Sequence, residues 1–274
     1  MTPIVYVLAY ERPELLACAL AGVCGYNPGY PVRVIDDCSR DTRVASILSA
    51  YAPMLESVIR LPQRGGIHRS RRTMFETFIA ATQYDQLVQV ESDMLIQPGA
   101  IQMLLNAYKV IWRHETARAG ILNTHVHHWC HKIHEVREIE GYRVAYGHSG
   151  SEPFWTADRK TIANNLDALP ATRPDLVLFL KRLGCASLYW PEIQSQHIGA
   201  GPPSIYYPTF AWHMVVYHND QERLKDAGPL RQPYPFHSIQ FPDFVNRYPA
   251  SAVECYRALR EHCPVALPEL DGVI

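Results

Sequence analysis

Short apolar runs alternate with amphipathic stretches through the first 118 residues. Ile4 to Leu8, Val32 to Ile35, Val58 to Leu61 and Leu87 to Val90 are compact apolar segments that predict buried strands. Between them, Pro13 to Val23, Thr42 to Tyr51, Ile67 to Thr82 and Pro98 to Trp112 carry helical patterns. Two of these open on a proline, which suits a first helical turn. The alternation predicts βαβ units, hence a mostly parallel central sheet in a three-layer α/β/α arrangement. Ligands of such sheets bind beyond the carboxyl ends of the strands. Tyr10 to Arg12, Asp36-Asp37, Arg64 to Gly66 and Glu91 to Asp93 all fall at those ends.

The second half is less regular. Ala119 to Leu122, Tyr142 to Tyr146, Pro153 to Thr156 and Ser187 to Trp190 read as strands, and Asp175 to Leu183 as a helix. Past Gly201 the chain is rich in proline and aromatic residues, with helical patterns near Val215 to Lys225 and Ser251 to His262. No internal repeat, low-complexity tract or linker stands out. The expected division is a domain over residues 1–201, in two halves (1–118 and 119–201), with an irregular extension over 202–274 packed on it.

Composition changes this picture little. With 47% hydrophobic and 19% charged residues the chain is ordinary for a globular protein. A net charge of -1 gives no strong field toward nucleic acid or an anionic membrane. No apolar run is long enough to span a bilayer, and the N-terminus lacks a secretory pattern. Seven cysteines, odd in number and without a C-x-x-C pair, suggest reduced thiols. Together these predict a cytoplasmic protein with no integral membrane segment.

The chemistry concentrates at three places. Val88 to Val90 runs into Glu91-Ser92-Asp93, an acid-x-acid step at a strand end. Asp36-Asp37-Cys38-Ser39-Arg40-Asp41 follows the second strand, and Gln196-His197-Ile198-Gly199 lies far downstream. Carboxylates at a strand end can hold a divalent metal, and a later histidine can complete its shell. Blander readings stand beside these. A lone acid-x-acid is usually a solvated turn, Asp36-Asp37 could cap a helix, and a single histidine is more often structural.

Order and spacing carry a resemblance to the nucleotide-sugar glycosyltransferases of the GT-A fold, closest to the family-2-like inverting group. Tyr10-Glu11-Arg12-Pro13-Glu14-Leu15-Leu16 resembles the family's opening turn, and Asp36 to Asp41 its "DDxSxD" step. Gly65 to Arg72 is similar to "GGxxxARN", with Arg71 at the Arg position and Arg72 replacing the Asn. Glu91-Ser92-Asp93 stands in place of D-x-D, and Pro98-Gly99-Ala100-Ile101 matches "PGAL". Arg173 to Gly184 resembles the segment carrying the catalytic base, and Pro191 to Gly199 the closing "P…HxG" stretch. Glu91 replaces an Asp and Pro174 the usual Glu.

The resemblance implies a GT-A, Rossmann-like fold and transfer from a nucleotide-diphosphate sugar, UDP-sugar by default, with inversion. It places Ala9, Tyr10, Arg12, Asp37, Arg64, Gly66, Arg71, Glu91 and Ser92 around the donor. Asp93 and His197 become ligands of Mn²⁺ or Mg²⁺, the imidazole favouring Mn²⁺. Asp175 becomes the base that deprotonates an acceptor hydroxyl. The acceptor stays open: a saccharide, a protein, a small molecule or a hydroxymethylated DNA base. Two other classes remain, a nucleotidyltransferase and a non-catalytic nucleotide-sugar or carbohydrate-binding protein. The former usually has a glycine-rich loop after the first strand, which Ala9 to Pro13 lacks. His125, His127, His128, His131 and His134 crowd around Trp129 in a spacing that fits no standard zinc finger, and read as an irregular acceptor-side surface.

Overall fold

The structure is a computed structural model, which describes residues 1–115, 120–123, 133–147, 154–165, 185–188, 195–197 and 252–274. Among these residues the main sheet has nine strands. Strands β1 (Pro3–Ala9), β2 (Val32–Asp36), β3 (Ser57–Arg60) and β4 (Gln86–Glu91) lie in the order β3-β2-β1-β4, and every neighbouring pair is parallel. Beyond β4 come β9 (Phe154–Asp158), β6 (Ile121–Asn123), β10 (Cys185–Leu188), β8 (Tyr142–Gly147) and β7 (Ile133–Ile139). Only β9 and β8 run against the rest, so the sheet is mostly parallel. The β7–β8 turn holds Glu140 and Gly141 at φ 45° and 86°, the mirror-image geometry that suits a tight hairpin.

Alternation along β1 divides the interior into two layers. Val5, Val7 and Ala9 face a core shared with helices α1 (Pro13–Leu20), α2 (Thr42–Tyr51) and α4 (Ala100–Glu115). Ile4, Tyr6 and Leu8 face a second core built on α3 (Gly66–Ala80) and α5 (Arg159–Ala163). Apolar residues on both sides of one strand explain why it reads as a continuous apolar run. Each buried Leu, Ile or Val contributes about 1.5–3 kcal/mol relative to exposure. The α/β/α layering expected from the pattern is therefore the architecture.

Helix α1 is buried along its whole length and continues as a widened turn. There, Tyr26 N–H donates to the Ala21 carbonyl at 3.1 Å, five residues back. Gly22 sits in this turn, and a Cβ there would lie 3.3 Å from the backbone N and O of Ile96. A glycine thus lets this turn lie directly against β5 (Met94–Ile96), which pairs antiparallel with β11 (Ser195–His197) in a separate small sheet. Asn27 locks the junction. Its amide donates to the Gly22 and Gln97 carbonyls at 2.9 and 2.8 Å, and its oxygen accepts from Ile101 N–H at 3.2 Å.

The last helix, α6 (Ala252–His262), packs on α1. Tyr26 Oη donates to the Leu259 carbonyl at 2.9 Å, the Tyr51 and Tyr256 hydroxyls meet at 3.2 Å, and Tyr256 Oη donates to Pro268 O at 2.8 Å. Cys18 Sγ reaches the Ala252 carbonyl at 3.3 Å. Burial pushes the Cys24 thiol and the Tyr26 and Tyr256 phenols up to about 12.

Several elements depart from the expectation. Strands β5, β7 and β11 and helix α5 were not anticipated, and α4 opens at Ala100 rather than Pro98. β5 and α5 are too short to show a period. β7 is a seven-residue hairpin strand whose polar residues (His134, Glu135, Arg137, Glu138) mask the alternation. The expected helices at Asp175 to Leu183 and Val215 to Lys225 lie outside the described residues. Among the described residues no helix is long and apolar enough to cross a membrane.

Candidate active site

The carboxyl ends of β1, β2 and β4 meet at one cleft, lined by Leu8, Ala9, Tyr10, Arg12, Asp37, Arg64, Gly66, Ile67, Ser70, Glu91, Ser92 and Asp93. Its volume is about 230 Å³. Small-molecule sites run to roughly 300–1,000 Å³, so these residues form one wall of a site rather than all of it.

The β1–α1 loop holds the first group. Glu11 and Arg12 both take left-handed backbone, at φ 51° and 55°, a conformation costly for residues with a side chain. Hydrogen bonds fix it: the Glu11 carboxylate accepts from Arg40 and Asp41 N–H at 2.8 and 2.9 Å, and Glu11 N–H donates to Ser39 Oγ at 2.8 Å. The loops after β1 and β2 are thereby locked together. Arg12 then extends to Asp93, Nη1 to Oδ2 at 2.8 Å, at the end of β4. The Arg64 guanidinium lies 4.6 Å from the centre of the Tyr10 ring, a cation–π contact at the cleft wall.

The two adjacent aspartates differ. Asp36 Oδ1 accepts from Ser39 N–H at 3.0 Å and from its hydroxyl at 2.5 Å, and Oδ2 lies 3.4 Å from Arg60 Nε, so Asp36 organises its own loop. Asp37 reaches the start of α3, where its two oxygens accept from Gly65 and Gly66 N–H, each at 2.7 Å. A carboxylate at a helix N-terminus is favoured by the unsatisfied N–H groups there. Asp37 therefore also caps a helix, α3 rather than the one that follows in sequence. It keeps a place on the cleft wall, and each carboxylate oxygen retains a further lone pair. Asp41 ends the motif as the N-cap of α2, accepting from Arg43 N–H at 2.9 Å, and the Arg43 side chain holds its carboxyl below the usual range.

Arg71 corrects an expectation. Its place on α3 suggests a donor-phosphate ligand, but it is absent from the cleft wall and is 3% exposed. The guanidinium lies behind the wall, donating to Gln89 Oε1 at 3.1 Å and Glu91 Oε1 at 2.7 Å. It positions Glu91. The same helical spacing that points an arginine toward a cleft also points it into the strand beneath, and sequence does not separate the two.

Asp93 is 7% exposed and follows Glu91 and Ser92 at the turn between β4 and β5. Ser92 N–H donates to the Leu8 carbonyl at 3.0 Å, fixing that turn to the end of β1. The β5–β11 register sets His197 opposite Met94, one residue past Asp93. The backbone thus brings His197 beside the acid-x-acid step across more than a hundred residues. Asp175, the expected base, and His125 to His131 lie outside the described residues. Sequence reasoning did not find Glu11 as the residue that ties the loops, nor Asn27. A glutamate between Tyr10 and Arg12 carries no outward sign of that role.

The oxygen-only donors Glu91 and Asp93 suit a hard divalent cation. The cleft wall sets three carboxylates, Asp37, Glu91 and Asp93, against two guanidinium groups, Arg12 and Arg64. A diphosphate placed there requires added positive charge, so the residues fit such an ion. Among the described residues no cluster of three or more His, Cys, Asp or Glu forms a metal centre.

The sequence matches no protein-family model and no curated protein. Solved structures share the fold. The S. aureus TarS 1-349 crystal structure aligns with a TM-score of 0.51 at 15% identity, over 82% of this chain and 66% of that one. The same TarS fragment in complex with UDP aligns with a TM-score of 0.51 at 16% identity, with the same coverage. This chain shares the Rossmann-like α/β fold of the TarS fragment and spans 66% of its length.

Proposed function

We propose that this chain is a nucleotide-sugar glycosyltransferase that binds a UDP-sugar in the cleft at the ends of β1, β2 and β4. One observation carries the reading: Tyr10, Arg12, Asp37, Arg64, Glu91 and Asp93, from four separate loops, line one cleft on the fold of a protein seen with UDP. The base and ribose lie against Tyr10, Asp37 and Arg64, and the diphosphate extends toward Arg12 and Asp93.

Expelling a nucleoside diphosphate requires neutralisation of the charge that develops on it. A Mn²⁺ or Mg²⁺ ion supplies that as a Lewis acid, and Asp93 with His197 would hold it. Arg71 holds Glu91 at the cleft wall, where its carboxylate would contact the ribose. Asp175 takes the proton of the acceptor hydroxyl as that oxygen attacks the anomeric carbon. The new C–O bond forms as the bond to the diphosphate breaks, and the centre inverts. Asp175→Asn is expected to lower turnover about 10²–10⁴-fold with little change in donor affinity. Loss of donor binding in that variant would instead assign Asp175 to the donor side.

The direct test is incubation with UDP-sugars and Mn²⁺ while released UDP is measured. Slow hydrolysis of at least one donor, abolished by Asp93→Asn, is expected. UDP binding without any turnover toward water or acceptor would favour a non-catalytic binding protein.

A further inference from the structure

We propose that Arg12 is a built-in counter-ion of Asp93, released from it only when a nucleotide diphosphate and a divalent cation bind together. The inference rests on the donor-site reading above and adds a role to a residue within it.

Arg12 Nη1 and Asp93 Oδ2 stand 2.8 Å apart, with the carboxylate side chain 11% exposed and the guanidinium 29%. Asp93 is thus a nearly buried charge that the fold neutralises from within, at the position where a divalent ion would sit. Ion and guanidinium compete for that carboxylate, and in close proximity they repel. An ion arriving alone must displace Arg12 from Asp93 and brings no anion to take the carboxylate's place. A diphosphate changes this, because guanidinium pairs well with phosphate oxygens. Arg12 can then pass from Asp93 to the diphosphate while the carboxylate turns to the ion.

The loop is built for a side-chain movement of this kind. Glu11 is tied to Ser39, Arg40 and Asp41 by three hydrogen bonds, so the backbone that carries Arg12 is held. The guanidinium end of Arg12 already lines the cleft. The consequence is thermodynamic. UDP and Mn²⁺ each tighten the binding of the other, by the same factor in both directions.

Mn²⁺ binding to the full chain, read from the free Mn²⁺ electron paramagnetic resonance signal, tests this without turnover. In the native protein, saturating UDP is expected to tighten Mn²⁺ by on the order of 10-fold, within the usual range of coupling. Arg12→Met is expected to bind Mn²⁺ alone roughly 10-fold more tightly, and to lose most of the coupling to UDP. Arg12→Lys, which keeps the charge, should retain weak Mn²⁺ binding in the absence of UDP. Asp93→Asn should abolish Mn²⁺ binding whichever residue stands at position 12. A coupling factor near one in the native protein would overturn the proposal by itself, whether or not Arg12→Met folds. So would a folded Arg12→Met protein that binds Mn²⁺ no more tightly and keeps its coupling. If the native protein binds neither UDP nor Mn²⁺, the donor-site reading fails with it. Intact UDP–Mn²⁺ binding with unaltered coupling in Arg12→Met removes the Arg12 role alone.

Discussion

Helix α1 serves two regions of opposite chemistry. Its N-terminal end adjoins the cleft, where Arg12 and Asp93 form a charged pair and Glu11 accepts from backbone N–H groups. Its other flank packs against α6, where Cys18, Cys24, Tyr26, Tyr51 and Tyr256 are buried in neutral form. In the cleft the Arg12–Asp93 pair joins partners that a ligand can replace. In the α1–α6 interface the polar atoms bond to backbone carbonyls or to each other, and nothing from solvent can substitute. The first arrangement suits exchange and the second permanence. Substitutions in the cleft should therefore alter binding and turnover far more than stability, and substitutions at α6 the reverse.

The largest effect is expected from Asp93→Asn. Transfer and Mn²⁺-dependent donor binding should vanish, while the melting temperature changes little because the group faces the cleft. Kinetics and a thermal melt of one preparation check both halves. Full activity in that variant would break the comparison at its charged end.

Asp37→Ala should come next. UDP and uridine affinity should fall alike, about 10–100-fold, matching the roughly 1.5–3 kcal/mol of a charged hydrogen bond. Because Asp37 also accepts from Gly65 and Gly66 N–H, this variant should lose some stability as well, unlike Asp93→Asn. Calorimetric titration with UDP and with uridine separates the cases. A loss restricted to UDP would move Asp37 from the base to the diphosphate.

At the dry interface, Tyr256→Phe removes the hydroxyl between Tyr51 Oη and Pro268 O. A stability loss of about 1–2 kcal/mol is expected, with UDP affinity unchanged, measured by urea unfolding and titration.

The smallest effect is one of pH. Burial raises Cys24 from 9.0 to about 12, and Tyr26 and Tyr256 from 10.0 to about 12. The folded state thus holds these protons more tightly than the unfolded chain. Their contribution is complete below about pH 9 and is lost as pH rises toward 12. Melting temperature should fall over that window, and less steeply in Tyr26→Phe, which has one fewer phenol to ionise. An identical slope would remove Tyr26 from the set.

Much of the first 118 residues was legible because the strands there are mostly apolar runs bounded by polar turns, although β3, at the sheet edge, is half exposed rather than buried. Ile4 to Leu8 fell within β1, and Thr42 to Tyr51 coincided with α2. The helical pattern at Ser251 to His262 was legible too, since its period is strong over three turns. What escaped was short or held by single contacts. β5 has three residues and is defined by Gly22 and β11, both distant in sequence. Cleft membership followed from strand ends, so Tyr10, Asp37, Arg64 and Asp93 could be placed. The direction of a side chain at such an end could not, which is why Arg71 was expected in the cleft and lies behind it. The pairing of Arg12 with Asp93 depends on left-handed backbone at Glu11 and Arg12, which non-glycine residues do not advertise.

The most direct test is calorimetric titration of the protein with UDP in the presence of Mn²⁺, alongside Asp37→Ala and Asp93→Asn. A nucleotide site at the ends of β1, β2 and β4 predicts saturable binding of one UDP per chain, weakened in Asp37→Ala and no longer Mn²⁺-dependent in Asp93→Asn. No UDP binding by the native chain, or equal binding by all three proteins, would contradict it.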